Sequence, residues 1–194
     1  TVGASFEYGG LDAADSRVDL MENYLEFFEV LNTSTMNCNM TANPGTICQG
    51  GSSQFNVEVL GGSGNYEYVW SPETGLSDPT IANPVANPME TTMYTVTITD
   101  MVSSEQVVDQ MELTVNETPA TPTIVQTGDN LVSSSATGNQ WYDDNGMIQG
   151  ANGQIFAPAQ TGNYWTVVSN ASDCESEPSN VIYFQPTNIE ELAS

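Results

Sequence analysis

The chain has 194 residues. It contains 25 Asp and Glu residues and one basic residue, Arg17, which gives a formal net charge of -24 at pH 7. Such a surface repels nucleic acid and anionic lipid, because both are bound through Lys and Arg, and no apolar run approaches the roughly 20 residues that a membrane-spanning helix needs. Because the chain also has no histidine and no lysine, the usual catalytic pairs and zinc ligand sets are excluded, and we predict a protein without enzyme activity, nucleic-acid partner or membrane insertion.

Residues 1–37 are predicted to form a strand-helix segment at the end of an α/β domain. Residues 2–8 have strand character, Gly9 and Gly10 form a turn, and a helix is expected from Asp12 or Asp15 to about residue 31. The apolar stripe of this helix needs a partner, either an α/β domain upstream or the next module. Since the chain begins at Thr1 inside the strand, without initiator Met or signal peptide, we interpret it as a processed portion of a longer protein.

Residues 38–117 show the clearest strand pattern in the chain. Tyr66, Tyr68 and Trp70 alternate with Glu67 and Val69, which is the two-residue period of a strand with one aromatic face. Further strands are predicted at residues 39–42, 53–60, 93–100 and 107–115. The prolines between residues 71 and 88 are too closely spaced for a helix or a central strand. This pattern predicts an antiparallel β-sandwich with Trp70 in its core.

Residues 118–186 repeat this order after a proline-bearing break. Strands are predicted at residues 130–134, 138–142, 161–168 and 179–184, with a hairpin turn at residues 143–146 and Ile155-Phe156 shortly before Pro158. A mid-domain Trp141 is followed by a loop and by Tyr164 in a late strand, as Trp70 is followed by Tyr94. The repetition at a period of about 75 to 80 residues predicts a second sandwich in tandem with the first.

Trp165 is the one tryptophan that we expect to point outward. It follows Tyr164 in the chain, and neighbouring side chains of a strand point to opposite faces. An outward tryptophan contacts a neighbouring module or subunit, or it forms a platform for a ligand such as a surface glycan. We favour the contact.

The spaced motifs of the middle region resemble the PKD-like modules of secreted Bacteroidetes proteins. The motifs are Ile47-Cys48-Gln49-Gly50-Gly51, Gly61-Gly62-Ser63-Gly64-Asn65-Tyr66, Trp70-Ser71-Pro72-Glu73-Thr74-Gly75-Leu76-Ser77-Asp78-Pro79, Ala82-Asn83-Pro84 and Thr92-Met93-Tyr94-Thr95-Val96-Thr97-Ile98-Thr99-Asp100. The next region resembles the immunoglobulin-like modules that often follow them, through Gln140-Trp141-Tyr142, Ile148-Gln149-Gly150-Ala151 and Gln160-Thr161-Gly162-Asn163-Tyr164.

The resemblance implies roles for several residues and for both ends of the chain. Tyr164 resembles the tyrosine corner of immunoglobulin-like modules, and Trp141 resembles their strand C tryptophan. The motif Phe6-Glu7-Tyr8-Gly9-Gly10-Leu11 resembles the closing part of an α/β domain that commonly precedes such modules. Residues 187–194 resemble the linker toward the C-terminal sorting domain of the type IX secretion pathway, which this chain lacks.

The cysteines depart from the pattern of the resembling modules. Those modules often carry a Gly-Cys after the strand that ends here at Asp100, as a partner for Cys48, but residues 101–104 contain no cysteine. Cys38 lies ten residues before Cys48 and could reach it across a short loop. We therefore predict a Cys38–Cys48 disulfide and a lone Cys174, with three free buried thiols as the alternative.

Calcium is the only cofactor that the composition favours, because hard cations prefer loops rich in Asp, Asn and Glu. The first candidates are Asp78 with Asp100, and the second set is Asp143, Asp144 and Asn145, although no loop has EF-hand spacing. The adjacent carboxylates of Asp143 and Asp144 could in principle act as a glycosidase acid and base. A solvated hairpin turn explains them better, since Asn145-Gly146 follows directly.

These observations predict non-catalytic structural or adhesive spacer modules of a larger secreted or surface-anchored bacterial protein, located outside the cell. One alternative is an accessory stalk of a secreted hydrolase or peptidase whose catalytic domain lies upstream. Another is a subunit of an extracellular filament, in which an edge strand of one copy accepts a strand from the next. The partners expected are proteins, surface glycans or further copies of the chain.

Overall fold

The computed structural model describes residues 35–186, in which every regular element is a β-strand. The helix predicted before residue 32 and the linker predicted at residues 187–194 lie outside the described residues. None of the described residues belongs to a helix of the length and apolarity that crossing a membrane requires. The strands are β1 (Asn37–Asn43), β2 (Thr46–Cys48), β3 (Ser53–Leu60), β4 (Tyr66–Ser71), β5 (Val85–Ala86), β6 (Thr92–Asp100), β7 (Gln106–Asn116), β8 (Ile124–Thr127), β9 (Asn130–Ser133), β10 (Asn139–Asp143), β11 (Gly146–Met147), β12 (Ile155–Phe156), β13 (Gly162–Val168) and β14 (Ile182–Phe184).

Strands β1 to β7 form the first sandwich, which has two sheets. One sheet has the order β1-β3-β5 and the other has the order β2-β7-β6-β4. All of these pairs are antiparallel except β2 with β7, where Thr46 lies opposite Thr114 in a parallel register. The chain turns at Pro44 and Gly45 and moves from the first sheet to the second, so that β1 and β2 lie in different sheets.

The core of the first sandwich is built on three aromatic side chains. Phe55 stacks on Trp70 with ring centroids 5.3 Å apart, and it meets the edge of Tyr94 at 5.2 Å. The indole Nε1 of Trp70 donates a hydrogen bond to the carbonyl of Ile81 at 2.9 Å, and the Tyr94 hydroxyl donates to the carbonyl of Thr74 at 2.7 Å. The burial predicted for Trp70 is confirmed, since 1% of the residue is exposed.

Strands β8 to β14 form the second sandwich. Its sheets have the orders β11-β10-β13-β14 and β12-β9-β8, and all of their pairs are antiparallel. Trp141 is fully buried and stacks on Phe156 at 5.4 Å. The Tyr164 hydroxyl donates to the carbonyl of Gln160, four residues upstream, at 3.0 Å, which is the hydrogen bond of a tyrosine corner. The predicted fold class of two tandem β-sandwiches is therefore confirmed for the described residues.

Both sandwiches contain a buried tryptophan whose indole N–H donates a hydrogen bond to a loop carbonyl. The indole of Trp141 donates to the carbonyl of Gly153 at 2.8 Å, twelve residues later in the chain. The indole of Trp70 makes the equivalent bond to a carbonyl eleven residues later. Each buried tryptophan thus satisfies its polar N–H by holding the loop that returns across the sandwich. This common contact is the structural basis of the repetition in the sequence.

Removal of a buried indole tests this anchoring role. We expect Trp70→Ala and Trp141→Ala each to lower the free energy of unfolding by about 3 to 5 kcal/mol, because each change opens a cavity and removes the indole hydrogen bond to a loop carbonyl. The control is Val69→Thr, which changes the exposed face of the same strand and should stay within about 0.5 kcal/mol. Urea unfolding followed by circular dichroism measures both. A tryptophan variant as stable as the control would contradict the prediction.

Candidate functional site

The cysteines pair differently from the sequence prediction. Cys48 forms a disulfide with Cys174, with a Cα–Cα distance of 5.6 Å and a sequence separation of 126 residues, and Cys38 is free. The predicted Cys38–Cys48 bridge and the lone Cys174 are therefore wrong. The reason is topological: Cys38 lies opposite Val59 in the first sheet, whereas Cys48 ends β2 beside Asn116 in the second sheet. Ten residues of spacing along the chain do not bring the two thiols together.

The disulfide joins the first sandwich to the second. Cys48 ends β2, and Cys174 lies fully buried in the loop after β13. The side chain of Asn170 organises this loop, because its Oδ1 accepts from the backbone N–H of Ser172 at 2.9 Å and of Cys174 at 3.1 Å. Its Nδ2 donates at 2.7 Å to the carbonyl of Glu117, the residue after β7. A covalent bond and a hydrogen bond therefore cross the same junction.

Asp100, a predicted calcium ligand, is instead the centre of a turn network. The residue is 1% exposed, and its two carboxylate oxygens accept hydrogen bonds from the Ser63 N–H and hydroxyl and from the Val102 and Ser103 N–H groups. These bonds, the one from Val102 first, lower the pKa of Asp100 to about 2, although burial acts to raise it. Gly62 is required beside the carboxylate, because it has a φ of +73° and an added Cβ would lie 2.7 Å from Oδ2.

The other predicted calcium ligands also accept hydrogen bonds from the protein, Asp78 and Asp143 within their own loops and Asp144 from β13. Asp78 accepts at Oδ1 from the Thr80 N–H and hydroxyl, and these bonds lower the pKa of Asp78. Asp143 accepts from the Asn145 N–H at 2.8 Å, and the Asp144 carboxylate accepts from the Asn163 amide at 3.2 Å. Among residues 35–186, no three acidic or cysteine side chains form a group that could hold a metal ion. Calcium binding stays a prediction.

Carboxylates also cover one edge of the first sandwich. β1 is an edge strand of its sheet, and one N–H group of β1 and one just before it donate to carboxylates of β7 or of the residue before β7. The N–H of Met36 donates to Glu105 at 3.1 Å, and the N–H of Met40 donates to Asp109 at 2.8 Å. An incoming strand would have to displace these carboxylates, so this edge is protected against strand addition.

The outer face of the second sandwich carries the aromatic pair that includes Trp165. Trp165 lies opposite Tyr142 in the β10–β13 register, and their rings stack with centroids 5.9 Å apart and planes 8° apart. Tyr142 in turn lies opposite Met147 of β11. Exposed side chains of Val181 and Tyr183 continue the apolar surface at β14. We call these five residues the aromatic face.

The five residues of the aromatic face carry no charge. Trp165 is half-buried by its contact with Tyr142, while Met147 is 52% and Tyr183 is 61% exposed. The Asp144 carboxylate lies at the turn after β10 and accepts from Asn163, which lies opposite Tyr183 in the β13–β14 register. In a chain with 25 acidic residues, an apolar and uncharged sheet face is a candidate contact surface. The interaction predicted for Trp165 itself stays a prediction.

Comparisons with known proteins assign neither a family nor a function. No protein-family model and no curated protein matches the chain. Among solved structures, it is similar to murine CEACAM1b with 14% identity over 77% of this chain and 100% of that one, at a TM-score of 0.40. It is similar to the eight N-terminal Ig domains of Down Syndrome Cell Adhesion Molecule, with 11% identity over 77% and 25% of the two chains and a TM-score of 0.40. A third similar structure is the BSP domain of a biofilm associated protein, with 17% identity, coverages of 79% and 30% and a TM-score of 0.28.

The pKa of Asp100 predicts how the stability of the first sandwich depends on pH. Its folded pKa of about 2 lies below the usual value of 3.8, so its ionised form stabilises the fold fully above about pH 4, and this contribution is lost as the pH falls towards 2. We expect Asp100→Asn to lower the melting temperature at pH 7 and to flatten its dependence on pH between about 5 and 2. Thermal unfolding followed by circular dichroism at a series of pH values measures this.

The matched control is Asp173→Asn, which removes the same charge from an exposed loop position with a φ of +56°. Asn tolerates this backbone conformation well. The control should keep both the melting temperature and the pH dependence of the parent chain. Equal effects of the two substitutions would show that net charge, and not the turn network, sets the acid response.

Proposed function

We propose that this chain is a non-catalytic spacer of a larger secreted or surface-anchored bacterial protein, built from a PKD-like and an immunoglobulin-like module. The Cys48–Cys174 disulfide carries the proposal, because it joins two separately cored sandwiches. A spacer has to hold a distance, and a covalent bond across the junction limits bending more than a flexible linker does.

The same disulfide supports a location outside the cytoplasm. Disulfides persist in oxidising compartments and are rare where thiols are kept reduced. The net charge of -24 supports solubility in an extracellular setting. The resemblance to secreted modules of the type IX class agrees with both observations.

The position of the disulfide determines how the chain would carry a pulling force. A force applied at the two ends passes along the backbone to Cys48, across the bridge to Cys174 and on to the other end. The strands from β3 to β13 lie inside this covalent loop and bear no load while the bridge is intact. Only β1, β2 and β14 lie on the loaded path, so most of both cores is protected.

Single-molecule stretching of the full chain from its two ends tests this load path. The oxidised chain should reach a maximum extension about 440 Å shorter than the reduced chain, because the bridge withholds a chain separation of 126 residues at about 3.5 Å for each residue. Cys174→Ser should stretch to the reduced length without reductant.

Cys38→Ser is the matched control for the stretching experiment, because it removes the free thiol and leaves the bridge. It should behave as the parent chain does under both conditions. The load-path proposal fails if the oxidised parent and Cys174→Ser reach the same extension.

A second candidate function is self-adhesion through the aromatic face. Every copy of the chain carries a net charge of -24, so two copies repel each other wherever their carboxylates meet. The five residues of the aromatic face are apolar or aromatic and carry no charge, so contact between two copies through these side chains does not itself bring carboxylates together. We therefore propose a second copy of the chain as its occupant.

Self-association through this face should be weak at low salt and stronger at high salt, because salt screens the repulsion and leaves apolar contact in place. Analytical ultracentrifugation over a range of protein concentrations measures it. Trp165→Ser should abolish the concentration dependence, whereas Val69→Ser on the outer face of the first sandwich should keep it. A parent chain that is monomeric at every salt and protein concentration would exclude this function.

A further inference from the structure

A cavity at one end of the second sandwich is separate from the aromatic face. It has a volume of about 330 Å³ and is lined by Asp143, Asn145, Ile148, Phe156, Gln160 and Tyr164. Its volume falls at the lower end of the range for small-molecule sites. The lining combines two aromatic rings with one carboxylate, and neither the spacer function nor the aromatic face uses it.

The two aromatic rings that line the cavity are fixed by contacts with other residues of the second sandwich. Phe156 stacks on the fully buried Trp141 at 5.4 Å, and Tyr164 is fixed by its hydrogen bond to Gln160. The rings of Phe156 and Tyr164 have centroids 5.7 Å apart and planes inclined by 51°. Both rings line the cavity, with 5% of Tyr164 exposed, and aromatic rings attract a cation placed against them.

The carboxylate of Asp143 also lines the cavity, and one of its oxygens is available to accept a hydrogen bond from a ligand. Its Oδ1 accepts from the Asn145 N–H at 2.8 Å, while Oδ2 accepts no hydrogen bond from residues 35–186. The pKa of Tyr164 is raised by burial and then by the negative charges of Asp143 and Asp144, so the two carboxylates act on the Tyr164 side of the cavity. The described residues include no Lys, Arg or His, so none of residues 35–186 supplies a cation here.

These walls favour an organic cation over a metal ion. Calcium takes six to eight oxygen ligands, and no group of three acidic or cysteine side chains exists among the described residues. An alkylammonium group needs fewer polar ligands than calcium does, since one carboxylate neutralises its charge. Aromatic rings and an apolar side chain such as Ile148 can contact its carbon atoms.

We propose that the cavity between Asp143, Phe156 and Tyr164 binds an alkylammonium group. The carboxylate of Asp143 pairs with the nitrogen, and the two rings contact the nitrogen-bound carbons. The group can belong to a free amine or to a lysine side chain of another protein, and the negative charge of the chain attracts both. This proposal does not depend on the spacer function.

Nuclear magnetic resonance of the 15N-labelled full chain tests the proposal. Butylammonium chloride, compared with sodium chloride at equal ionic strength, should cause saturable shifts of the amides of residues 143–148 and 156–164. A second arm uses a Gly-Lys-Gly peptide, blocked at both ends, against the same peptide with norleucine in place of lysine. Shifts by the lysine peptide extend the site to protein lysines, and shifts by butylammonium alone restrict it to free amines.

Two substitutions separate the ion pair from the rings. Asp143→Asn keeps the acceptor for Asn145 and should weaken binding about fivefold by loss of the charge. Phe156→Leu keeps an apolar wall without the ring and should weaken it by a similar factor. Asp173→Asn, which removes an equal charge from another loop of the second sandwich, should bind as the parent does. Melting temperatures confirm that the variants are folded.

Three results would overturn the proposal. The first is the absence of saturable shifts with butylammonium. The second is unchanged binding by Asp143→Asn, because the ion pair would then have no role. The third is that calcium chloride causes the same shifts at lower concentration, because the cavity would then be a site for a hard cation.

Discussion

Residues 35–186 have to accommodate their carboxylates without one basic side chain. Seven of the 25 acidic residues precede residue 35 and two follow residue 186, which leaves 16 in the described chain. Backbone and hydroxyl donors take the place of Lys and Arg. Asp100 accepts from two loops, Asp109 accepts from β1, and Glu105 accepts from Met36 just before β1. Stability therefore depends on apolar cores and on hydrogen bonds to ionised carboxylates, which are stronger than bonds between neutral groups.

This constraint explains where aromatic residues and turns are used. Ion pairs within the described chain are not available to fix one sheet against the other, so each sandwich relies on a buried tryptophan that also bonds to a returning loop. The turn that follows β6 is closed by the Asp100 carboxylate and not by a cation. The same shortage of positive charge leaves the outer surface strongly negative, and the uncharged aromatic face stands out against it.

Local patterns predicted most of the long strands, whereas contacts between distant residues could not be predicted. The alternation around Trp70 and Tyr164 determines which side chains are buried, because a strand has a two-residue period whatever it packs against. The short strands β2 and β5 have no such period, and their pairing depends on the other sheet. The Cys48–Cys174 bridge depends on how the two sandwiches meet. The odd number of cysteines signalled one free thiol but not which of the three it is.

The position of Cys38 has a consequence for biosynthesis. Cys38 and Cys48 are ten residues apart, and Cys48 and Cys174 are separated by 126, so the short loop closes more readily while the nascent polypeptide is unfolded. The native bridge requires the β2 edge and the β13 loop to be in place first. An early Cys38–Cys48 link therefore has to be reopened by thiol exchange before the native bridge can form.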